Sequence, residues 1–143
     1  MILYQTMIPL NPRTKKNNVD IRYKKIKSPK GVWGYIRGRL QYLGVPFVSQ
    51  NERYKQYEQD AGWFLKWHRE PISEPVNVKC IFYRESNIRC DLTNLQEAID
   101  DILVKYGVLA DDNFKILASH DGSRVYVDKD HPRTEIEITT LEE

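Results

Sequence analysis

Six acidic side chains lie close together between positions 91 and 112 of a chain of 143 residues. Carboxylates are the hard oxygen ligands that Mg²⁺ prefers, and two or three suffice because the ion keeps several of its waters. A cation held in this way can activate water and neutralise the charge that builds on a phosphate during phosphodiester hydrolysis. The six acids are Asp91, Glu97, Asp100, Asp101, Asp111 and Asp112.

Ordinary structural roles also account for these acids, and on the residues alone both interpretations stay open. Asp91 stands in the N-cap position of a predicted helix, where its side chain would accept a backbone N–H. Residues 111–113, Asp-Asp-Asn, are typical of a turn. The acids within the helix would then form its solvent-facing side; these are Glu97, Asp100 and Asp101.

The helix that would carry the acids is predicted over residues 92–106. Asp91 precedes it, and Gly107 follows it in the position where many helices end. Apolar side chains recur at the spacing of one helix face, which predicts that this face packs against a core. They are Leu92, Leu95, Ile99, Ile102, Leu103 and Tyr106.

The length of this helix limits which acids can meet. From residue 92 to residue 106 it climbs about 22 Å, at roughly 1.5 Å per residue. Asp112 can approach Asp91 only if residues 107–112 return beside the helix, and six extended residues cover at most about 20 Å. The apolar run 108–110 is suited to such a return strand. Asp101 lies about 15 Å along the axis from Asp91, so we expect that these two do not share one metal ion.

The elements around this helix are predicted from the spacing of their apolar residues. A second helix is expected over 51–69, capped by Asn51, stopped by Pro71 and carrying His68 on its apolar face. Residues 10–50 show no regular period and are predicted to form a long loop with short ribbon pieces. Strands are predicted over 2–9, 75–84 (with Val76, Val78, Cys80 and Phe82 inward), 114–127 (with a turn at Asp121-Gly122) and 134–140.

The order of elements, β-loop-α-β-α-β-β, predicts an α+β fold. Its sheet would be small, mixed or antiparallel, with the two helices packed on one face. A chain of this length suits one domain, so residues 1–143 are expected to form a single domain.

The long N-terminal loop is strongly basic. Residues 1–50 carry ten Lys and Arg side chains and one acid, Asp20, although the whole chain has a formal net charge of only +2. Such a loop is suited to gripping a polyanion such as DNA. Trp33, Tyr35 or Tyr42 could stack on a base or pack within the protein. The cations assigned to DNA are Arg13, Lys15, Lys16, Arg22, Lys24, Lys25 and Lys27, with Arg89 and Lys115 beside the acids.

Several other classes of protein are not expected. No uninterrupted apolar segment reaches the length of a membrane span, and the first residues lack the basic region of a secretory signal. Cys80 and Cys90 have neither CxxC spacing nor a His at ligand spacing, so free thiols in a reducing compartment are expected. These features predict a cytoplasmic protein without a membrane partner or an organic cofactor.

The acidic segment resembles a motif of the RusA family of Holliday junction resolvases. The run from Arg89 to Leu103, RCDLTNLQEAIDDIL, is followed by Gly107 and by the pair at 111–112. The family pattern is Asp-x-Asp-Asn-x-x-Lys-Ala-x-x-Asp-Ala-Leu, then a short gap with a Gly, then Asp-Asp. The ending RTEIEIT at 133–139 and the opening strand followed by NPRTKKNN at 11–18 are similar to the family as well.

The resemblance implies that Asp91 and Asp112 bind the metal and take part in catalysis, with Asp111 as a neighbour in the same motif. Thr93 stands where the family has its second carboxylate, and a hydroxyl is a weaker ligand. Asn94 and Asp101 match the positions that support the ligands.

Glu97 stands where the family has a lysine, so the charge near the scissile phosphate is reversed. Glu97 could restore an acid to the site, because it lies one helical turn from Thr93. The missing cation could then come from Lys15, Lys16 or Lys115.

The function implied is a Mg²⁺-dependent endonuclease, with Mn²⁺ able to substitute, that cuts four-way DNA junctions by paired hydrolysis. The junction has two strands to cut, so a homodimer fits its symmetry. One alternative is a branched-DNA-binding protein of the same fold in which Thr93 and Glu97 have weakened or abolished cleavage. Another is a simple nucleic-acid binder whose acids serve as caps and turns.

Overall fold

A computed structural model describes residues 1–15, 19–24, 31–50 and 52–141. The elements in chain order are β1 (Ile2–Ile8), β2 (Val19–Lys24), β3 (Val32–Ile36), β4 (Arg39–Gln50), α1 (Glu52–Gly62), β5 (Val76–Arg84), α2 (Leu92–Lys105), β6 (Leu117–Ser119), β7 (Arg124–Val127) and β8 (Arg133–Thr140). The predicted α+β class is confirmed. Neither helix is long and apolar enough to cross a membrane.

The strand β5 is the centre of a five-stranded mixed sheet. Along one edge it pairs antiparallel with β8, which in turn pairs antiparallel with β1. Along the other edge it takes two short parallel strands, β6 beside its first residues and β7 beside its last. The chain between β6 and β7, residues 120–123, contains the predicted turn at Asp121-Gly122.

The core is built from the apolar faces that the sequence predicts. The four inward residues of β5, Val76, Val78, Cys80 and Phe82, are fully buried. On α2, Leu95, Ile99, Ile102 and Leu103 are buried in the same cluster, joined by Ile136 and Ile138 of β8. Both cysteines are free thiols, as expected.

The described part of residues 10–50, predicted as a long loop with short ribbon pieces, contains more strand than expected. The strands β2, β4 and β3 form a second, antiparallel sheet in that order. Arg37 and Gly38 both have positive φ, the signature of a tight type I′ turn, and they join β3 to β4. Side chains on both faces of β3 are exposed or half-buried, so the strand lacks the apolar alternation by which strands are predicted.

The helix predicted over 51–69 is shorter than expected, because α1 ends at Gly62. Leu65 and His68 lie beyond it, and His68 is exposed rather than packed in the core. The predicted cap, Asn51, lies outside the described residues. Gly62 leaves room for the ring of Tyr106, whose Cζ would lie only 2.4 Å from a Cβ at position 62. The Tyr106 hydroxyl donates a hydrogen bond to the carbonyl of Glu58, which fixes the ring against α1.

We expect Gly62→Ala to destabilise the protein by about 1–3 kcal/mol, although alanine is the better helix former, because the new methyl group overpacks the Tyr106 ring. Urea unfolding of the variant measures this cost. In a Tyr106→Ala background the same substitution should cost nothing or stabilise. An equal cost in both backgrounds would show that contact with Tyr106 is not the cause.

Candidate functional site

A cavity of about 640 Å³ opens between the first half of α2 and the segment that follows it. Its walls come from three parts of the chain: α2, residues 112–117 and the loop 120–123. The acids that line it are Glu97, Asp100, Asp112 and Asp121, and among the lining residues within the described ranges there is no Lys or Arg. The cavity is therefore a site of concentrated negative charge.

The chain reverses direction directly after α2, as the sequence geometry requires for Asp112 to approach the helix. The backbone N–H groups of Val108 and Leu109 both donate to the carbonyl of Leu103. Ile72 then pairs with the returning segment, donating to Val108 and accepting from Ala110, each at 2.9 Å. This return brings Asp112 to the same cavity as Thr93 and Glu97.

The two acids of the motif pair have different roles. Asp111 accepts hydrogen bonds from the backbone N–H of Asp112 at 2.7 Å and from the side-chain amide of Asn113 at 2.9 Å. These bonds lower its pKa, and its carboxylate organises the turn. Burial, contact with Asp111 and the charge of Asp101 instead raise the pKa of Asp112, which lines the cavity.

Asp91 occupies the N-cap position of α2, but its side chain makes no capping hydrogen bond with the helix backbone. The carboxylate is exposed, and its Oδ2 lies 3.5 Å from the side-chain amide of Asn94. Asp91 therefore does not cap α2 through its carboxylate, which remains available to a ligand. Asp91 and Asp111 are not among the residues that line the cavity, although Leu92 is.

Asp101 forms an ion pair with Lys15, with 2.5 Å between Oδ2 and Nζ. The same ammonium lies 6.0 Å from the centre of the Tyr54 ring, within reach of a cation–π interaction. One cation of the basic N-terminal segment is thus attached to the helix that carries the acids. Asp101 in turn is close enough to contribute to the raised pKa of Asp112.

Asp100 departs from the expected solvent-facing role, because only 7% of its surface is exposed. Its carboxylate Oδ2 lies 2.9 Å from Nε2 of His120, in the loop after β6. A signal for this burial was present in the sequence. Gln96 and Asp100 lie one turn apart at the edge of the apolar stripe, next to Leu92 and Leu103, where a 3.6-residue period brings them towards the core.

Of the remaining predicted residues, some have side chains that the structure describes and the others lie outside the described residues. Thr93, Glu97, Arg89, Lys115 and Lys24 are exposed, and Arg13 and Asn94 are half-buried. Trp33 and Tyr35 are strongly exposed, and the ring of Trp33 packs edge-on against Tyr42. Lys16, Lys25 and Lys27 lie outside the described residues, as does the side chain of Arg22.

The chemistry of the donors fits a hard divalent cation such as Mg²⁺. Asp112, Glu97 and Thr93 present oxygen atoms to one cavity, and the exposed carboxylate of Asp91 precedes it in the chain. Within the described ranges no three His, Cys, Asp or Glu side chains converge as a closed metal site. An open arrangement of few carboxylates suits an ion that keeps several of its waters, which is the usual state of Mg²⁺.

We expect Asp111→Ala to lower the thermal midpoint at neutral pH, because the carboxylate with the lowered pKa stabilises its turn. This stabilisation is fully present above the ordinary carboxyl range and is lost as pH falls through the lowered pKa, so the difference in thermal midpoint between parent and variant should shrink as the solution is acidified below that range. Asp112→Asn should leave the midpoint unchanged or raise it at neutral pH, since the raised pKa shows that its charge opposes folding. Thermal melts across this pH range measure both effects, and a loss of stability in Asp112→Asn larger than that in Asp111→Ala would contradict this assignment.

A comparison with known protein families finds one that matches most of the chain. The sequence model of the family described as endodeoxyribonuclease RusA matches residues 37–139, which is well over half of the chain. The match extends from the β3–β4 turn to β8 and contains every residue that lines the acidic cavity. No curated protein matches the chain significantly. The chain belongs to the RusA endodeoxyribonuclease family.

Proposed function

We propose that the protein is a Mg²⁺-dependent, structure-selective endonuclease that resolves four-way Holliday junctions by paired phosphodiester hydrolysis. Membership of the RusA family carries the nuclease class. The observation that carries the proposal is the return of the chain after α2, which brings Asp112 to the cavity that Thr93 and Glu97 line. Family nucleases are generally metal-dependent, which agrees with this set of oxygen donors.

In this mechanism Asp91 and Asp112 would hold Mg²⁺, Thr93 would contribute a hydroxyl, and Glu97 would supply the acid that the family carries at the Thr93 position. Asn94 stays beside the Asp91 carboxylate and orients it. Asp111 holds the backbone of Asp112 in place through its turn. Mg²⁺ supplies charge neutralisation at the phosphate and lowers the pKa of water.

Lys15 takes the place of the lysine that Glu97 replaces. Its ammonium is held at 2.5 Å from Asp101 and above the Tyr54 ring, so little conformational entropy remains for it to lose when DNA binds. Asp101 lies one helical turn after Glu97 on α2, so this ion pair is next to the helix face that contributes Glu97 to the cavity. Lys115, the other candidate within the described residues, is exposed and flanks the turn.

The DNA is bound by the basic N-terminal segment and by the surface beside the acids. Arg13, Lys15 and Lys24 would contact phosphates, as would Arg89 and Lys115. The exposed rings of Trp33 and Tyr35 offer faces on which an unpaired base can stack. Because phosphate contacts release counterions, junction binding should weaken steeply with salt.

The protein would act as a homodimer on a two-fold axis. A four-way junction presents two equivalent strands, and two copies of one site can cut both. Mn²⁺ would replace Mg²⁺, since both accept carboxylate and water ligands.

A second candidate function is binding of branched DNA with weakened or lost cleavage. Thr93 and Glu97 favour it, because the first removes a carboxylate from the family motif and the second reverses the charge of its lysine. In that case the fold, the basic segment and the dimer would serve recognition alone.

We expect Asp91→Asn and Asp112→Asn each to reduce junction cleavage by at least about 100-fold. Loss of a residue that only supports a metal ligand costs up to about 100-fold, and loss of the ligand itself should cost at least as much. Cleavage of a synthetic four-way junction with Mg²⁺ measures this, and gel-shift assays should show that binding persists. Asp130→Asn, an exposed acid outside the cavity, is the matched control and should cut as the parent does. Full cleavage by either site variant would refute the metal assignment.

The same assay separates the two candidate functions. If the parent binds junctions tightly but does not cut them, the second candidate holds. Thr93→Asp combined with Glu97→Lys restores the family residues and should then raise cleavage markedly. A double variant that remains inactive would show that these two positions are not what limits the protein.

Lys15→Ala is expected to lower the rate of cleavage by roughly 100-fold, the lower end of the range found when a single stabilising donor is removed from an active site. Junction affinity should fall only slightly. Lys24→Ala, an exposed basic residue of β2, is the control and should weaken binding while sparing the cleavage rate of bound DNA. Single-turnover kinetics at saturating protein distinguish the two effects, and equal behaviour of the two variants would exclude a special role for Lys15.

A further inference from the structure

The floor of the acidic cavity contains polar atoms that the proposed nuclease mechanism does not use. Gln96 is 3% exposed and Asp100 7% exposed, yet both line the cavity. Oε1 of Gln96 and Oδ1 of Asp100 are buried oxygens without a hydrogen-bond partner in the described part of the protein. Burying such atoms unpaired is costly, so two of them in side chains that line one cavity point to a ligand between them.

The side chain of Gln96 is oriented by the core. Its Nε2 donates to Sγ of Cys80 at 3.2 Å, so the amide nitrogen faces β5, while the oxygen is buried without a partner in the described residues. Burial raises the pKa of Cys80, so this partner remains a neutral thiol. Between the side chains of Gln96 and Asp100 in the described structure, the charge is therefore that of the Asp100 carboxylate, one helical turn further along α2.

His120 faces Asp100 from the opposite wall. Its Nε2 lies 2.9 Å from Oδ2 of Asp100, but it is buried and does not meet the geometry of a hydrogen bond. The imidazole is therefore close to the carboxylate, but its ring nitrogen is not oriented to donate a hydrogen bond to it. Two ligands of one metal ion are separated by a similar distance, since each lies about 2.0–2.2 Å from the ion.

The loop that carries His120 is held rigidly. The side chain of Asn77 on β5 accepts from the Ser119 hydroxyl at 2.6 Å and from the Asp121 backbone N–H at 2.7 Å. Its amide also donates to the Asp121 carbonyl at 3.1 Å. The position of the imidazole is therefore set by the central strand, as preorganised binding requires.

We infer that Gln96, Asp100 and His120 form a binding site for a divalent first-row transition-metal ion, separate from the Asp91 and Asp112 site. Imidazole nitrogen combined with carboxylate and amide oxygen suits Mn²⁺ better than Mg²⁺, which strongly prefers oxygen. The four acids of the cavity and the absence of Lys and Arg from its lining in the described ranges favour a cation over an anionic ligand. The inference goes beyond the proposed nuclease function and does not depend on it.

The test is Mn²⁺ binding to the full chain without DNA, measured by the loss of the electron paramagnetic resonance signal of free Mn²⁺. The starting protein carries Asp91→Asn and Asp112→Asn, which removes the nuclease site, and it should still bind one Mn²⁺. Adding Asp100→Asn or His120→Asn should weaken that binding by at least about tenfold. Asp121→Asn, an exposed acid of the same cavity, is the matched control and should change the affinity by less than about twofold.

Proton magnetic resonance gives a second measurement in case the variant at the buried Asp100 fails to fold. The chain has three histidines, at 68, 120 and 131. Substoichiometric Mn²⁺ should broaden the ring protons of His120 before those of the exposed His68 and His131. The inference is wrong if the Asp91, Asp112 variant binds no Mn²⁺, if His120→Asn binds it with unchanged affinity, or if the three histidines broaden equally.

Discussion

The site depends on how β5 pairs its backbone groups along the edge that faces β6 and β7. A central strand must pair its backbone groups on both sides, and here one side is covered by two short strands with a break between them. Side chains close the break: Ser123 accepts from the N–H of Cys80 at 3.1 Å, and Asn77 holds the other end of the loop. The hydrogen bonds that complete the pairing of β5 therefore also hold the loop that places His120 beside α2.

The helix α2 serves the core and the cavity with adjacent faces. Leu95, Ile99 and Ile102 are buried against the sheet, so the rotation of the helix about its axis is fixed. With that rotation set, the positions one step around the helix, Gln96 and Asp100, must enter the boundary between core and cavity. Gln96 and Asp100 are therefore positioned by the apolar packing of α2 rather than by a loop.

The elements that the sequence predicts well are those whose burial repeats locally. The alternation of β5 and the apolar stripe of α2 give both elements to within a residue or two at each end. The second sheet is missed because the exposure of β3 does not alternate and its pairing with β4 depends on a turn, Arg37-Gly38, that carries a weak signal. The helix predicted over 51–69 is too long because its apolar spacing continues past Gly62, and the contact of Gly62 with the ring of Tyr106, distant in sequence, is not visible in that spacing. Within the site, Asp100 is misjudged for a similar reason: its partner His120 arrives through the tertiary fold.

The distribution of charge links the site to its substrate. The cavity is acidic on every described wall, whereas the first 50 residues are strongly basic, so an approaching polyanion is attracted by one region and repelled by the other. Under the proposed function, bound divalent cations would reverse the sign of the repelling region and so permit close approach of a phosphate. The ion pair of Lys15 with Asp101 is where the two regions meet, and it already neutralises one helix acid. On this view the near-zero net charge of the chain is the sum of two opposed surfaces that only a metal ion allows to act on the same phosphodiester.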